Sequence, residues 1–172
     1  MRRIATVLIA AMALASFVAA QSAAEQAKAE LKDANGNVVG QATLMETPKG
    51  VQIHLTLTGL PEGTRAFHIH ATGKCEPPFT TAGGHFNPEM KQHGKDNPMG
   101  RHAGDLSNVT VSANGRVMAD IVEPMVTLKV GPANSLFDAD GSALMVHAAA
   151  DDYKTDPTGN AGARFACGVI TK

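Results

Sequence analysis

Six of the seven histidines fall between residues 67 and 147, spaced as His68-x-His70, His85, His93, His102-x-x-Asp105 and His147. Imidazole suits copper and zinc, and imidazoles joined by one carboxylate suit zinc. Six imidazoles and one carboxylate are too many for one four-coordinate ion and one too few for two separate ions. If one imidazole is shared, seven side chains supply eight bonds and the count closes at two metals. The spacing therefore predicts a two-metal site.

Two kinds of element must position these groups. Ala66-Phe67-His68-Ile69-His70-Ala71 alternates, so in a strand Phe67 and Ile69 enter a core while His68 and His70 share the opposite face. His85, His93, His102 and Asp105 lie in a stretch rich in Gly, Pro and Asn, with neither helical nor strand periodicity. Such a stretch is expected to be a long functional loop, which metal bonds could hold in place.

The rest of the chain supplies the scaffold. Alternating runs occur at 29–32, 38–45, 51–58, 64–71, 109–113, 117–122, 126–130 and 143–148. They are punctuated by Asn35-Gly36, Asn114-Gly115, Pro48 and Pro61, and predict an antiparallel β-sandwich or flattened barrel. In the run from Val51, the residues Val51, Ile53, Leu55 and Leu57 form one apolar face, which leaves His54 facing solvent. With no Trp and one Tyr, bulky aromatics do little of the packing.

The chain resembles the copper/zinc superoxide dismutases, in their exported bacterial form. The resemblance is carried by Ala66-Phe67-His68-Ile69-His70, Gly84-His85-Phe86-Asn87-Pro88, His102-Ala103-Gly104-Asp105-Leu106, Met145-Val146-His147 and the stretch from Gly159 to Ile170. It implies a Greek-key antiparallel sandwich or flattened eight-stranded barrel with long metal-binding and electrostatic loops. It also implies copper bound by His68, His70, His85 and His147, and zinc bound by His85, His93, His102 and Asp105, with His85 as the shared imidazolate. Asp151 corresponds to a carboxylate that hydrogen-bonds one ligand on each side, His68 and His93, and fixes their rings. Arg164 corresponds to the arginine that orients an anionic substrate beside copper.

The reaction so implied is a redox shuttle. One superoxide reduces Cu(II) and leaves as dioxygen; a second reoxidises Cu(I), takes up two protons and leaves as hydrogen peroxide. His85 would release copper on reduction, take a proton and deliver it, while zinc orders the loop and polarises His85. Because every ligand binds deprotonated, loading is expected to weaken below about pH 6. Superoxide is the partner this predicts, and a homodimer and a copper-delivering chaperone are further partners the resemblance admits. A metal buffer on the same scaffold is the alternative function.

Location is read from the first residues. Arg2 and Arg3 precede an apolar stretch from Ile4 to about Ala20 that ends in small residues. That pattern predicts a secretion signal over residues 1–24, cleaved after Ala20 or Ala24, and a superoxide dismutase domain over residues 25–172. The stretch is Ala-rich and falls short of the ~20 strongly apolar residues of a spanning helix, so no stable membrane association is expected after cleavage. Export to the periplasm or beyond makes a Cys75–Cys167 disulfide the expected state, two free buried thiols being the alternative.

Charge and motifs exclude other classes. There is no basic stripe for nucleic acid, no phosphate-binding Gly loop and no nucleophile triad. Loss of Arg2 and Arg3 would take the formal net charge from −1 to −3. An acidic protein does not attract superoxide globally, so focusing must be local, from the metals, Arg164 and Lys154. Asn108-Val109-Thr110 has the form of a glycosylation acceptor, which bacterial export would leave unmodified. Asp138-Ala139-Asp140-Gly141 echoes a calcium loop but lacks its remaining ligands.

Overall fold

A computed structural model describes residues 24–172, so the leader expected over residues 1–24 lies outside the described residues, Ala24 excepted. Nine strands are present there: β1 (Gln26–Asp33), β2 (Val38–Thr47), β3 (Gly50–Leu57), β4 (Gly63–Arg65), β5 (Phe67–His70), β6 (Val109–Val111), β7 (Val117–Glu123), β8 (Ala143–His147) and β9 (Arg164–Val169). One short 3-10 turn, Thr80–Ala82, is the only helical element among the described residues. All strand pairs are antiparallel, in the order β5-β8-β9-β1-β2-β3-β7 with a separate β4-β6 pair.

β4 and β5 are the run 64–71 interrupted at Ala66, where the partner changes from β6 to β8, and this break gives nine strands where the resemblance implies eight. β3 pairs with β2 on one side and, on the other, with β7 instead of the next strand β4, the crossover of a Greek key. The result is an all-β sheet curled into a half-barrel.

Alternation decides what the curled sheet encloses. Ala27, Ala29 and Leu31 of β1, Ala42 and Leu44 of β2, and Val51, Ile53, Leu55 and Leu57 of β3 all point inward and are buried. Their opposite neighbours are half-buried or exposed, His54 among the exposed, with its Nδ1 2.9 Å from Asp120 Oδ1 on β7. β5 and β8 break the alternation, since every residue of both is buried. Phe67, Ile69, Leu144 and Val146 fill the main core, whereas Ala143 and Met145 join Phe79, Ala82 and Cys167 in a second, smaller core on the other side. Loops covering the outer face of these two strands therefore create a buried layer, and it holds His68, His70 and His147.

Two elements differ from the sequence pattern. Residues 126–130 alternate and bury Val126 and Leu128, yet they form no strand. The Glu46 carboxylate takes their hydrogen bonds instead, accepting from Leu128 N at 2.7 Å and Thr127 Oγ1 at 2.9 Å. β9 is a strand without a clear period-2 signal, because Gly168 occupies an inter-strand position. A Cβ there would sit 2.8 Å from Glu30 O on β1.

Cys75 and Cys167 are bonded across 92 residues and tie the start of the loop after β5 to β9. Closing a loop of this length restricts the unfolded chain by about 4 kcal/mol in the chain-entropy description. The Cys75→Ala/Cys167→Ala protein, freed of metal, should lose about that much in urea unfolding. A loss below about 1 kcal/mol would show that the cross-link constrains little.

Candidate metal centre

His68 and His70 leave β5 on its outer face, and His147 leaves β8 at a bulge where the β8-β9 register shifts. Residues 71–108 fold back along β5. Phe86 N donates to Ile69 O at 2.8 Å, Gly104 O accepts from Ile69 N at 2.9 Å, and Gly104 N donates to Phe86 O at 2.8 Å. Gly104 is required at this approach, because a Cβ would stand 2.2 Å from Ile69 O. Phe86, Ala103 and Leu106 enter the main core. Apolar anchors thus hold a segment that the sequence pattern left to metal bonds alone.

This folding back gathers two groups of four buried side chains, His68/His70/His85/His147 and His85/His93/His102/Asp105, with His85 in both. In the second group Asp105 Oδ1 lies 2.8 Å from His85 Nδ1, 3.0 Å from His93 Nδ1 and 3.1 Å from His102 Nδ1. A tetrahedral zinc with bonds near 2.0–2.1 Å separates its ligand atoms by about 3.3 Å, so these spacings suit it. In the first group His70 Nε2 and His147 Nε2 are 3.4 Å apart.

Hydrogen bonds select which nitrogen of each ring is free. His68 Nε2–H donates to Asp151 Oδ2 at 2.8 Å and His93 Nε2–H donates to Asp151 Oδ1 at 2.9 Å. His70 Nδ1–H donates to Gly83 O at 3.1 Å, and His147 Nδ1 lies 3.4 Å from Gly162 O. Each partner fixes a tautomer and leaves a lone pair on the other nitrogen. His68 Nδ1 and His85 Nε2 are buried without any hydrogen-bond partner. Buried polar nitrogens are rarely left so, and a cation held by the first group would satisfy both. The residues present therefore fit two metals that share the His85 ring.

Burial sets the charge states of the metal-free centre. It lowers His70 to about 2, with the charges of His85 and Arg164 adding to the effect. Burial likewise lowers His147 to about 3. It lowers His85 to about 4 even though Asp105 pulls the other way. Burial opposes charge on His93 too, but hydrogen bonds to Asp105 and Asp151 outweigh it and raise His93 to about 9. Burial would raise Asp105, yet three imidazoles hold it far below the usual carboxylate range.

A pH prediction follows from these directions. His70, His85 and His147 contribute stability that is full above the unfolded value of 6.5 and is lost as pH falls toward about 4 and below. His93 has the opposite sign, its contribution being full below 6.5 and lost as pH rises through about 9. Calorimetry of the metal-free protein should show the melting temperature falling from pH 6.5 to pH 4, with a smaller fall toward pH 9. A flat profile from 6.5 to 4 would contradict buried, neutral rings. Neutral rings also move the acid limit for the first group below the pH 6 of an ordinary imidazole.

A cleft of about 320 Å³ opens over the first group, lined by His70, His85, His147, Thr158 and Arg164 among others. Arg164 Nη2 donates to Gly83 O at 2.6 Å and Nη1 donates to Phe79 O, so two loop carbonyls aim the guanidinium. It is the only cationic side chain in the lining, and Lys154 is absent from it. Lys154 lies exposed in the 151–162 segment.

Some supporting residues carried no sequence signal. Glu123, buried on β7, forms a two-point pair with Arg101 at 2.8 and 2.9 Å, and Arg101 Nη1 also donates to Asp105 O at 2.7 Å. Asp105 is thereby fixed to the barrel. Gly159 adopts φ +64, and a Cβ there would stand 1.9 Å from Asp151 Oδ1. An isolated Arg, Glu or Gly says nothing of this without the fold.

Comparison with known proteins gives a consistent result. A family model described as copper/zinc superoxide dismutase matches residues 38–170. The second copper/zinc superoxide dismutase of Aquifex aeolicus is 49% identical over 172 residues, covering 99% of each chain. That of Caulobacter vibrioides is 45% identical over 147 residues, covering 84% of each. Among solved structures, a SOD-like protein from Bacillus subtilis superposes with a TM-score of 0.80 at 43% identity, over 83% of this chain and 96% of that one. The Cu/Zn superoxide dismutase from Brucella abortus gives 0.71 at 30% identity, over 86% and 100%.

Proposed function

The chain belongs to the copper/zinc superoxide dismutase family, and from that premise we propose that it converts two superoxide anions and two protons into dioxygen and hydrogen peroxide. Its cofactors are copper and zinc. His68, His70, His85 and His147 would hold copper, and His85, His93, His102 and Asp105 would hold zinc. The observation that carries this reading is the His85 ring, with Nδ1 among the second group and a buried, unpartnered Nε2 toward the first.

Copper supplies one-electron redox chemistry between Cu(II) and Cu(I), and zinc a fixed charge without redox chemistry. The protein supplies the rest. Arg164, held by the carbonyls of Phe79 and Gly83, binds the anion at the cleft wall and orients it. His85 Nε2 is the atom placed to take up a proton and pass it to the second superoxide as it is reduced. Asp151 holds His68 and His93 in the ring orientation and tautomer that leave their Nδ1 atoms free.

Export to the periplasm or the outside, with protection of the cell envelope, completes the proposal. It is supported by the basic and apolar first residues and by the disulfide. The mass of the secreted form would locate the cleavage bond.

Metal analysis combined with a superoxide assay, with and without cyanide and chelator, tests the activity. One copper and one zinc per chain with cyanide-sensitive turnover is the expected result. Bound metal without turnover would make the protein a metal buffer, and neither metal nor turnover would make the site a relic.

A further inference from the structure

Asn108 ends the metal loop, immediately before β6, and its sequence context showed only the form of a glycosylation acceptor. In the fold its side chain is fully engaged. Asn108 Nδ2 donates to Asp151 O at 2.9 Å, and Asn108 Oδ1 accepts from Asp151 N at 2.9 Å. The backbone N–H of Asn108 donates to Tyr153 Oη at 2.8 Å, and Tyr153 N donates back to Asp151 Oδ1 at 2.6 Å. Val109, the next residue, is buried in the main core and paired in β6. Asn108 is therefore a fixed point of the barrel that grips both backbone groups of Asp151.

We infer that Asn108 is a positioning residue for zinc, acting through Asp151, an inference that rests on the function proposed above. The two rings that Asp151 holds are not equally supported. His68 is carried by β5, whose backbone is paired along its whole length. His93 lies on the loop, where its backbone is held only by the side chains of Asp156 and Asn97; its Nδ1 faces Asp105, and its Nε2 is held by Asp151 alone. A shift of Asp151 therefore turns His93 more than His68. Zinc retention depends on the Asn108 clamp and copper retention depends on it little.

Asn108→Asp is the decisive variant. It keeps size and the acceptor toward Asp151 N but sets a second oxygen against Asp151 O. Asn108→Ala removes both bonds. The fully loaded native chain and both variants are mixed with a colorimetric chelator, and zinc and copper release are followed separately. Cobalt(II) in the zinc position reports ligand geometry by its visible spectrum, and melting of the metal-free forms reports folding.

Zinc release at least about fivefold faster in Asn108→Asp, with copper release within about twofold of native and a changed cobalt spectrum, is expected. Zinc release within about twofold of native in both variants overturns the inference. So does equal acceleration of both metals, which marks general loosening. If Asn108→Ala fails to fold, Asn108→Asp decides. Should the native chain hold no zinc at all, the proposed function fails first, and that outcome is visible before any variant is read.

Discussion

Replacing Arg164 with alanine should lower kcat/KM for superoxide by about 10-fold or more while leaving both metals bound. The argument begins with charge. The chain carries a formal net charge of −1, and would carry −3 without the proposed leader, so attraction of an anion must come from inside the cleft. There the Arg164 guanidinium is the one cationic side chain in the lining, half-buried and fixed by the carbonyls of Phe79 and Gly83. Low-dielectric walls focus the field of a charge so placed, and such focusing raises local anion concentration and on-rate by roughly 10- to 1000-fold. The residue sits beside the proposed copper ligands without contributing a bond to them, so metal content should not change.

Salt separates this account from a structural one. Turnover of the native protein should slow with added salt, since the Debye length contracts from about 10 Å at 0.1 M to about 3 Å at 1 M. In Arg164→Ala the remaining rate should depend on salt much less. Lys154→Ala should change the rate by less than about twofold, because that side chain lies outside the cleft and its exposed charge is screened. Pulse-radiolytic decay of superoxide at several ionic strengths gives all three comparisons. An unchanged rate on loss of Arg164 would remove its assigned role.

The contrast between Arg164 and Lys154 shows where the sequence is readable. Metal chemistry admits few residue types, so His68, His70, His85, His93, His102, Asp105 and His147 stood out by type and spacing before any geometry was known. The period of two in β3 foretold which of its sides would be buried, since a half-covered sheet tolerates only one register, and in β5 it foretold which side faces the main core although both are buried. Residues 126–130 misled because the same alternation arises where a half-buried carboxylate, Glu46, takes the place of a neighbouring strand. Arg101, Glu123 and Gly159 act through contacts that only the folded backbone creates, and no residue pattern marks such pairings. Nor could the composition of residues 83–104 reveal that Phe86 and Ala103 dock the loop into the core, because three or four apolar residues in a Gly-rich stretch carry no period.

Removal of the Asp151 carboxylate should weaken zinc binding by about 10- to 100-fold, the range found when an outer hydrogen-bond partner of a metal ligand is lost. Burial alone would raise the pKa of this acid, but the hydrogen bonds from His68 and His93 hold it well below the ordinary carboxylate range. It is therefore a charged acceptor at neutral pH. One oxygen takes His68 Nε2–H and the other takes His93 Nε2–H together with Tyr153 N–H. In Asp151→Ala two buried ring donors and the half-buried Tyr153 N–H lose their acceptor, the buried ones at a cost of about 1–3 kcal/mol each, and the cheapest relief is for His93 to turn. That ring sits on the loop, and turning it carries Nδ1 away from Asp105 and the proposed zinc. His68, held in β5, has less freedom to follow, so copper affinity should fall less than zinc affinity. Asp151→Asn should lie between the native chain and Asp151→Ala, since an amide accepts from one ring but turns an N–H group toward the other. Competition titrations with chelators of graded affinity measure each case. Zinc affinity within about twofold of native in Asp151→Ala would show that the ring of His93 is oriented by the loop itself and not by this carboxylate.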